Sequence, residues 1–109
     1  MSNSKYYYDR ERNIDTKKLE KSVKFDWHLE KVTDEIVKLL KEKNKAYGNS
    51  ALNPIKVFSK LNASEAICAR LDDKLARIRN KGINDITEDT LTDIIGYMLL
   101  LKMAKEKNE

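Results

Sequence analysis

Apolar side chains recur along this chain at helical steps. Leu19, Val23 and Trp27 lie four residues apart, and Leu29, Val32, Ile36, Leu39, Leu40 and Lys43 continue at steps of three and four. Such spacing places them on one face of a helix running from about Asp15 to Tyr47. It is compatible with one long helix or with two, Asp26 capping the second. Gly48 stands where a helix ends. Residues 48–54 gather Gly, Pro and small polar side chains and read as a loop, and 55–61 as a short helix started at Pro54. Asn62 with Glu65 three residues later has the capping-box spacing. It opens a helix striped by Ile67, Leu71, Leu75 and Ile78 and closed at Gly82. Thr87 is the expected cap of a last helix. Glu88 and Asp89 favour its start, and Leu91, Ile94, Ile95, Met98, Leu99 and Leu101 give it a wide apolar surface.

The chain has 109 residues, three Gly and one Pro, too few turn formers for an all-β fold. The expectation is all-α: a small bundle of three main helices plus one or two short ones, in a single domain from 15 to 109. Residues 1–14 form a polar arm carrying Tyr6, Tyr7 and Tyr8. These three can pack on the body, on a sister subunit or on a ligand base, in that order of preference. One Cys excludes an internal disulfide and a four-Cys zinc site. The apolar run at 98–101 is too short to span a bilayer, and no signal sequence opens the chain, so a cytoplasmic location without membrane contact is expected.

The net charge is +4. Residues 1–24 hold seven basic and four acidic side chains, a net of +3, so the body is almost neutral. No dense basic run suggests a nucleic-acid binder. The body instead shows local contrast. On the helix after Asn62, Arg70, Lys74 and Arg77 lie within about 80° of Ile67, on the flank opposite Leu71 and Leu75. Their stems border the apolar stripe and their heads converge, with Asp73 beside them to orient Arg70 or Arg77. On the last helix Asp89, Asp93 and Tyr97 share a face. Asp93 sits so near the apolar surface that it calls for a cation, a metal or several donors, and the Arg70, Lys74 and Arg77 strip is the obvious partner. The loop after the first helix adds Lys45, Tyr47, Gly48 and Ser50, groups suited to a phosphate or a base. Two readings stay open: an Arg–Asp network that only fixes packing, or a ligand site.

The other singular residues read as structural. His28 is expected to be exposed, Cys68 a small core residue, and Trp27 a core or interface anchor. Gly96, inside a helix, marks close approach of another helix or a ligand.

Three blocks carry a resemblance: Lys45-x-Tyr47-Gly48-x-Ser50, then Arg70 to Arg77 with Asp73 and Lys74 between, then Asp89-Thr-Leu-x-Asp93-Ile-Ile-Gly96-Tyr97. Across about residues 43–103 the chain resembles the nucleotide-modification-associated domain 1 family, small all-α proteins often encoded by phages. That family is distantly similar to all-α nucleoside triphosphate pyrophosphatases of the MazG and dimeric dUTPase kind. The resemblance implies a nucleotide or nucleotide-derived ligand. Lys45, Arg70, Lys74 and Arg77 would meet phosphates, Tyr47 or Tyr97 would meet a base or sugar, and Asp93 would orient a cation or hold a metal.

The chain departs from the pyrophosphatase pattern of an E-x-x-E block followed by an E-x-x-D block, whose carboxylates hold Mg²⁺. Asp93 fits the last position, but Thr90 stands where its Glu belongs. In the preceding helix Glu65 is followed at three by Cys68, and Arg70 by Asp73. Asp89 and Asp93 remain as a metal pair for Mg²⁺. Three cations beside so weak a metal site favour binding over hydrolysis. The leading expectation is therefore a homo-oligomeric protein that sequesters a phosphate-bearing nucleotide signal, as a phage anti-defence protein would in the host cytoplasm. A Mg²⁺-dependent nucleotide pyrophosphatase and a purely structural or interaction protein are the alternatives.

Overall fold

The computed structural model describes residues 16–107. It contains three helices: α1 (Thr16–Ala46), α2 (Ala63–Lys81) and α3 (Thr90–Glu106). Among the described residues there is no strand and no further helix. The chain is all-α, as its periodicity predicts. The arm at 1–14, with Tyr6, Tyr7 and Tyr8, lies outside the described residues.

The first helix is continuous, and Asp26 lies inside it instead of capping a second one. The chain divides into two compact units, the boundary falling between Glu35 and Ile36 within α1. In the first unit Leu19, Val23 and Asp26 are half-buried, while Phe25 and Trp27 are exposed. Lys31 Nζ lies 5.3 Å from the Trp27 ring centre, one helical turn away, so Trp27, exposed and not in the core, makes a local cation–π contact.

The second unit is built on α2 and α3. Ala63, Ile67, Leu71 and Ala104 form a buried cluster, with Leu52, Ile94, Tyr97, Leu100 and Leu101 packed against it. Ala63 opens α2 and Ala104 lies in the last turn of α3, so the two helices run antiparallel. Fully burying side chains such as Ile67 and Leu71 contributes about 1.5–3 kcal/mol each. The α1 segment within this unit adds Ile36, which is buried, and Leu40. A Cβ built on Gly96 would stand 3.1 Å from Leu40 Cδ2, so this glycine does mark the approach of another helix.

The ends of α2 follow their sequence signals. Asn62 accepts the Glu65 N–H at 2.9 Å, and Glu65 reaches back to the Asn62 N–H, completing the capping box. Gly82, at φ 81°, donates its N–H to Ile78 O at 2.8 Å, a conformation that disfavours a side chain. For α3 the cap is Asp89, not Thr87: the Asp89 carboxylate accepts the Thr92 N–H at 3.0 Å and its hydroxyl at 2.7 Å. The short helix expected at 55–61 is absent. Lys56 adopts φ 56°, which breaks a right-handed turn, and Ile55 and Phe58 face solvent, so no burial offsets helix nucleation. Cys68 is exposed, not a core residue, because it points a quarter-turn away from Ile67.

Candidate functional site

The cationic flank of α2 forms one wall of an open cleft of about 270 Å³. Its lining residues are Arg70, Asp73, Lys74 and Arg77 from α2, Glu88 from the α2–α3 loop, and Tyr97 from α3. Residues 70, 74 and 77 share this wall because steps of three and four return to one helix face. Tyr97 arrives opposite because the same α3 face also packs on the apolar cluster.

Two of the three cations are tied down. Lys74 Nζ lies between two carboxylates, donating to Glu88 Oε1 and standing 3.0 Å from Asp93 Oδ2. The other Asp93 oxygen is 3.5 Å from Lys43 Nζ on α1. The Glu88 bond, reinforced by Asp93, raises the Lys74 ammonium above its usual range, against the opposing effect of burial. Arg77 is gripped along one edge of its guanidinium. Nε lies 2.8 Å and Nη2 2.7 Å from Asp85 Oδ2, and Nη2 also donates to the Thr87 hydroxyl. The remaining nitrogen, Nη1, faces Glu88 Oε2 at 3.2 Å.

Asp85 is itself fixed by its second oxygen, which accepts the Thr87 N–H at 2.9 Å and hydroxyl at 2.7 Å. The two Thr87 donors, with Arg77 adding to them, hold the Asp85 carboxyl down at about 2. Thr87, expected as a helix cap, is thus consumed by an Asx turn that braces Arg77. The orienting role expected of Asp73 falls to Asp85.

Arg70 differs from its neighbours. It is exposed at the cleft and makes no ion pair among the described residues. The cleft therefore presents one unengaged guanidinium, two engaged cations, two carboxylates and one phenol ring.

The structure brings together Arg70, Lys74, Arg77 and Tyr97 in the lining and joins Asp93 to them through Lys74. It does not bring in the loop residues. Lys45 is exposed on the last turn of α1, and Tyr47, exposed, and Ser50, half-buried, lie on the turn after it; none of the three lines the cleft. Glu88 and Asp85 are the site residues that periodicity misses, since both lie on a loop. The Asp85-x-Thr87 spacing is a signal that could have found the second.

Magnesium needs several carboxylate oxygens around one point. Among the described residues no group of three or more His, Cys, Asp or Glu is placed to hold a metal ion. Asp89 uses both oxygens on Thr92, which lowers its carboxyl below the usual range, and Asp93 faces Lys43 and Lys74. The Asp89 and Asp93 pair therefore does not fit the expected Mg²⁺ site: one carboxylate is a helix cap and the other is already neutralised by ammonium groups.

No helix of the described residues is long and apolar enough to cross a membrane. No family model matches the chain, and neither does any curated protein or solved structure.

Proposed function

We propose that this protein binds a phosphate-bearing nucleotide, or a signal derived from one, in the α2–α3 cleft and holds it without hydrolysis. The observation that carries this reading is Arg70, a guanidinium with no ion pair among the described residues, beside Lys74 and Arg77 and across from Tyr97. Guanidinium and ammonium groups bind phosphate through charge-assisted hydrogen bonds, and a phenol ring at the rim suits a base or sugar. A cleft of about 270 Å³ fits the phosphate portion of such a ligand, with the remainder lying over the opening. What supports holding without hydrolysis is the carboxylates, which among the described residues face lysines or cap a helix. The phage anti-defence setting, in a host cytoplasm, rests on the resemblance to the nucleotide-modification-associated domain 1 family.

A specific observation favours a second reading. Lys74 and Arg77 already have carboxylate partners, as they would in a network that only locks α2 to α3. The two readings separate in a thermal-shift measurement against a panel of mono-, di- and triphosphates, cyclic nucleotides and ADP-ribose. Binding raises the melting temperature of the wild type. Arg70→Ala abolishes the rise while leaving the unliganded protein as stable, because Arg70 supports no ion pair among the described residues. Intact ligand recovered after heat denaturation supports sequestration, and a Mg²⁺-dependent cleaved product supports the pyrophosphatase. If no nucleotide shifts the wild type, the structural reading stands.

The proposal includes a homo-oligomer. Besides its face on α2, α3 exposes Leu91, Ile95, Met98, Leu99 and Met103 by 37–53%. A helix apolar around so much of its girth normally lies inside a bundle. Light scattering at micromolar concentration tests this; a strictly monomeric protein contradicts it.

A further inference from the structure

Glu88 occupies an unusual place for a carboxylate. It lines the cleft, and its two oxygens bridge the two engaged cations, Oε1 on Lys74 Nζ and Oε2 3.2 Å from Arg77 Nη1. One oxygen on each cation is also how a single phosphate group would sit there. The side chain keeps 27% of its surface exposed, so it has a route to water. The backbone around it has no such freedom. Thr87 is bound through its N–H to Asp85, and Asp89 is fixed as the α3 cap. Arg77 would not follow a departing Glu88, because Asp85 and Thr87 hold its other edge. Lys74 would likewise stay near Asp93. Only the Glu88 side chain is free to leave.

We infer that Glu88 is a resident anion: its carboxylate fills the seat between Lys74 and Arg77 that a terminal phosphate of the ligand takes, and binding turns it out to solvent. This rests on the nucleotide-binding reading of the cleft and deepens it by naming the ligand class. An entering group must outcompete a carboxylate that is tethered and always present. A terminal phosphate carries up to two negative charges and enough oxygens to meet Lys74, Arg77 and Arg70 together. A phosphodiester carries one charge and gains little by the exchange. The wild-type site therefore selects nucleotides with a free terminal phosphate and rejects cyclic or diester-linked ones.

The apparent affinity of such a site is reduced by the fraction of molecules in which the seat is empty. A seat left empty in about one molecule in ten corresponds to binding about tenfold tighter once the charge of Glu88 is removed. The test is calorimetric titration of wild type and Glu88→Gln with ADP, pyrophosphate and cyclic AMP. The expected result is ADP and pyrophosphate binding to the wild type, about tenfold tighter binding to Glu88→Gln, and cyclic AMP binding only to the variant. Wild-type binding that the variant fails to improve overturns the resident-anion role and leaves the binding reading intact. Absence of binding to both proteins overturns the resident-anion role, and the binding reading falls with it when the wider nucleotide panel also leaves the wild-type melting temperature unmoved. Should the variant fold poorly, the wild type decides alone. The Glu88 side-chain carboxyl carbon resonance must move towards its solvent-exposed position on saturation with ADP, and a resonance that stays in place overturns the inference.

Discussion

Arg77 directs two nitrogens, Nε and Nη2, at one oxygen of Asp85, at 2.8 and 2.7 Å. This leaves the opposite edge of the guanidinium turned to the cleft, where Nη1 meets Glu88. Asp85 is thus a positioning residue that acts through Arg77, although it does not line the cleft itself. Asp85→Asn is expected to weaken anion binding severalfold, and Arg77→Ala in the same background to add little. Equal, additive losses in the double-mutant cycle would contradict the coupling.

The same carboxylate sets an acid limit. Its pKa of about 2 in the folded protein lies below the ordinary 3.8, so the folded state favours its charged form. That stabilisation is fully present above the ordinary value and is lost as pH falls from about 4 towards 2. Wild type should lose more stability than Asp85→Asn across this window, measured by urea denaturation at each pH. Parallel losses would show that Asp85 does not titrate as its contacts require.

Lys74 has the opposite sign. Its pKa is raised, so its contribution is whole below the ordinary 10.5 and disappears as pH climbs through the higher folded value. Lys74→Met leaves Glu88 and Asp93 facing each other without their shared cation. It is expected to cost about 2 kcal/mol near neutral pH, less than a fully buried pair because both carboxylates keep some contact with water. Adding Glu88→Gln should recover part of the loss. A double variant no more stable than Lys74→Met alone would argue against repulsion as the cause.

Thr90 is buried with 1% exposure, and its hydroxyl has no hydrogen-bond partner among the described residues; Ser64 is in the same condition. An unsatisfied buried hydroxyl costs about 1–3 kcal/mol in lost hydration. Thr90→Val keeps the shape and removes the hydroxyl, and should raise the melting temperature. A lower one would reveal a water or backbone partner for Thr90.

Gly96 weighs two effects of similar size. Alanine gains about 1 kcal/mol of helix propensity, but its methyl would meet Leu40 at 3.1 Å. The contact is with a side-chain tip, so Gly96→Ala should stay within about 1 kcal/mol of wild type. Gly96→Leu must displace Leu40 and should cost about 2 kcal/mol or more. Equal stability of the two variants in denaturant titration would mean that the helices move apart freely.

What the sequence discloses here is what repeats or what punctuates. The cationic flank of α2, the Asn62–Glu65 box and Gly82 could all be placed because each depends on spacing along one helix. Asp93 could be paired with the strip because an apolar setting demands a partner. The α2–α3 loop is less legible than the helices. Thr87 and Asp89 are both good caps, and only the competing bond from Asp85 decides between them. Lys45, Tyr47 and Ser50 have suitable chemistry, but Lys45 stays on α1, and where the turn carries Ser50 depends on φ values such as those of Gly48 and Asn49, which composition does not set. Glu88 carried a helix-start meaning that concealed its reach back to Lys74 and Arg77.

The connection between α2 and α3 has a consequence for how the chain acquires its shape. Only eight residues, 82–89, separate the two helices, and both ends of that link are fixed by local bonds at Gly82 and Asp89. Contacts across such a short separation form with little loss of chain entropy, so this hairpin is where folding should begin. Substitutions at Ile67 and Leu71 should therefore slow folding, and those at Leu40 should mainly hasten unfolding; the reverse pattern in stopped-flow kinetics would place the nucleus elsewhere. The electrostatic clasp at Asp85 and Arg77 would then be in place early, and a ligand could find its cations arranged before the first helix has settled.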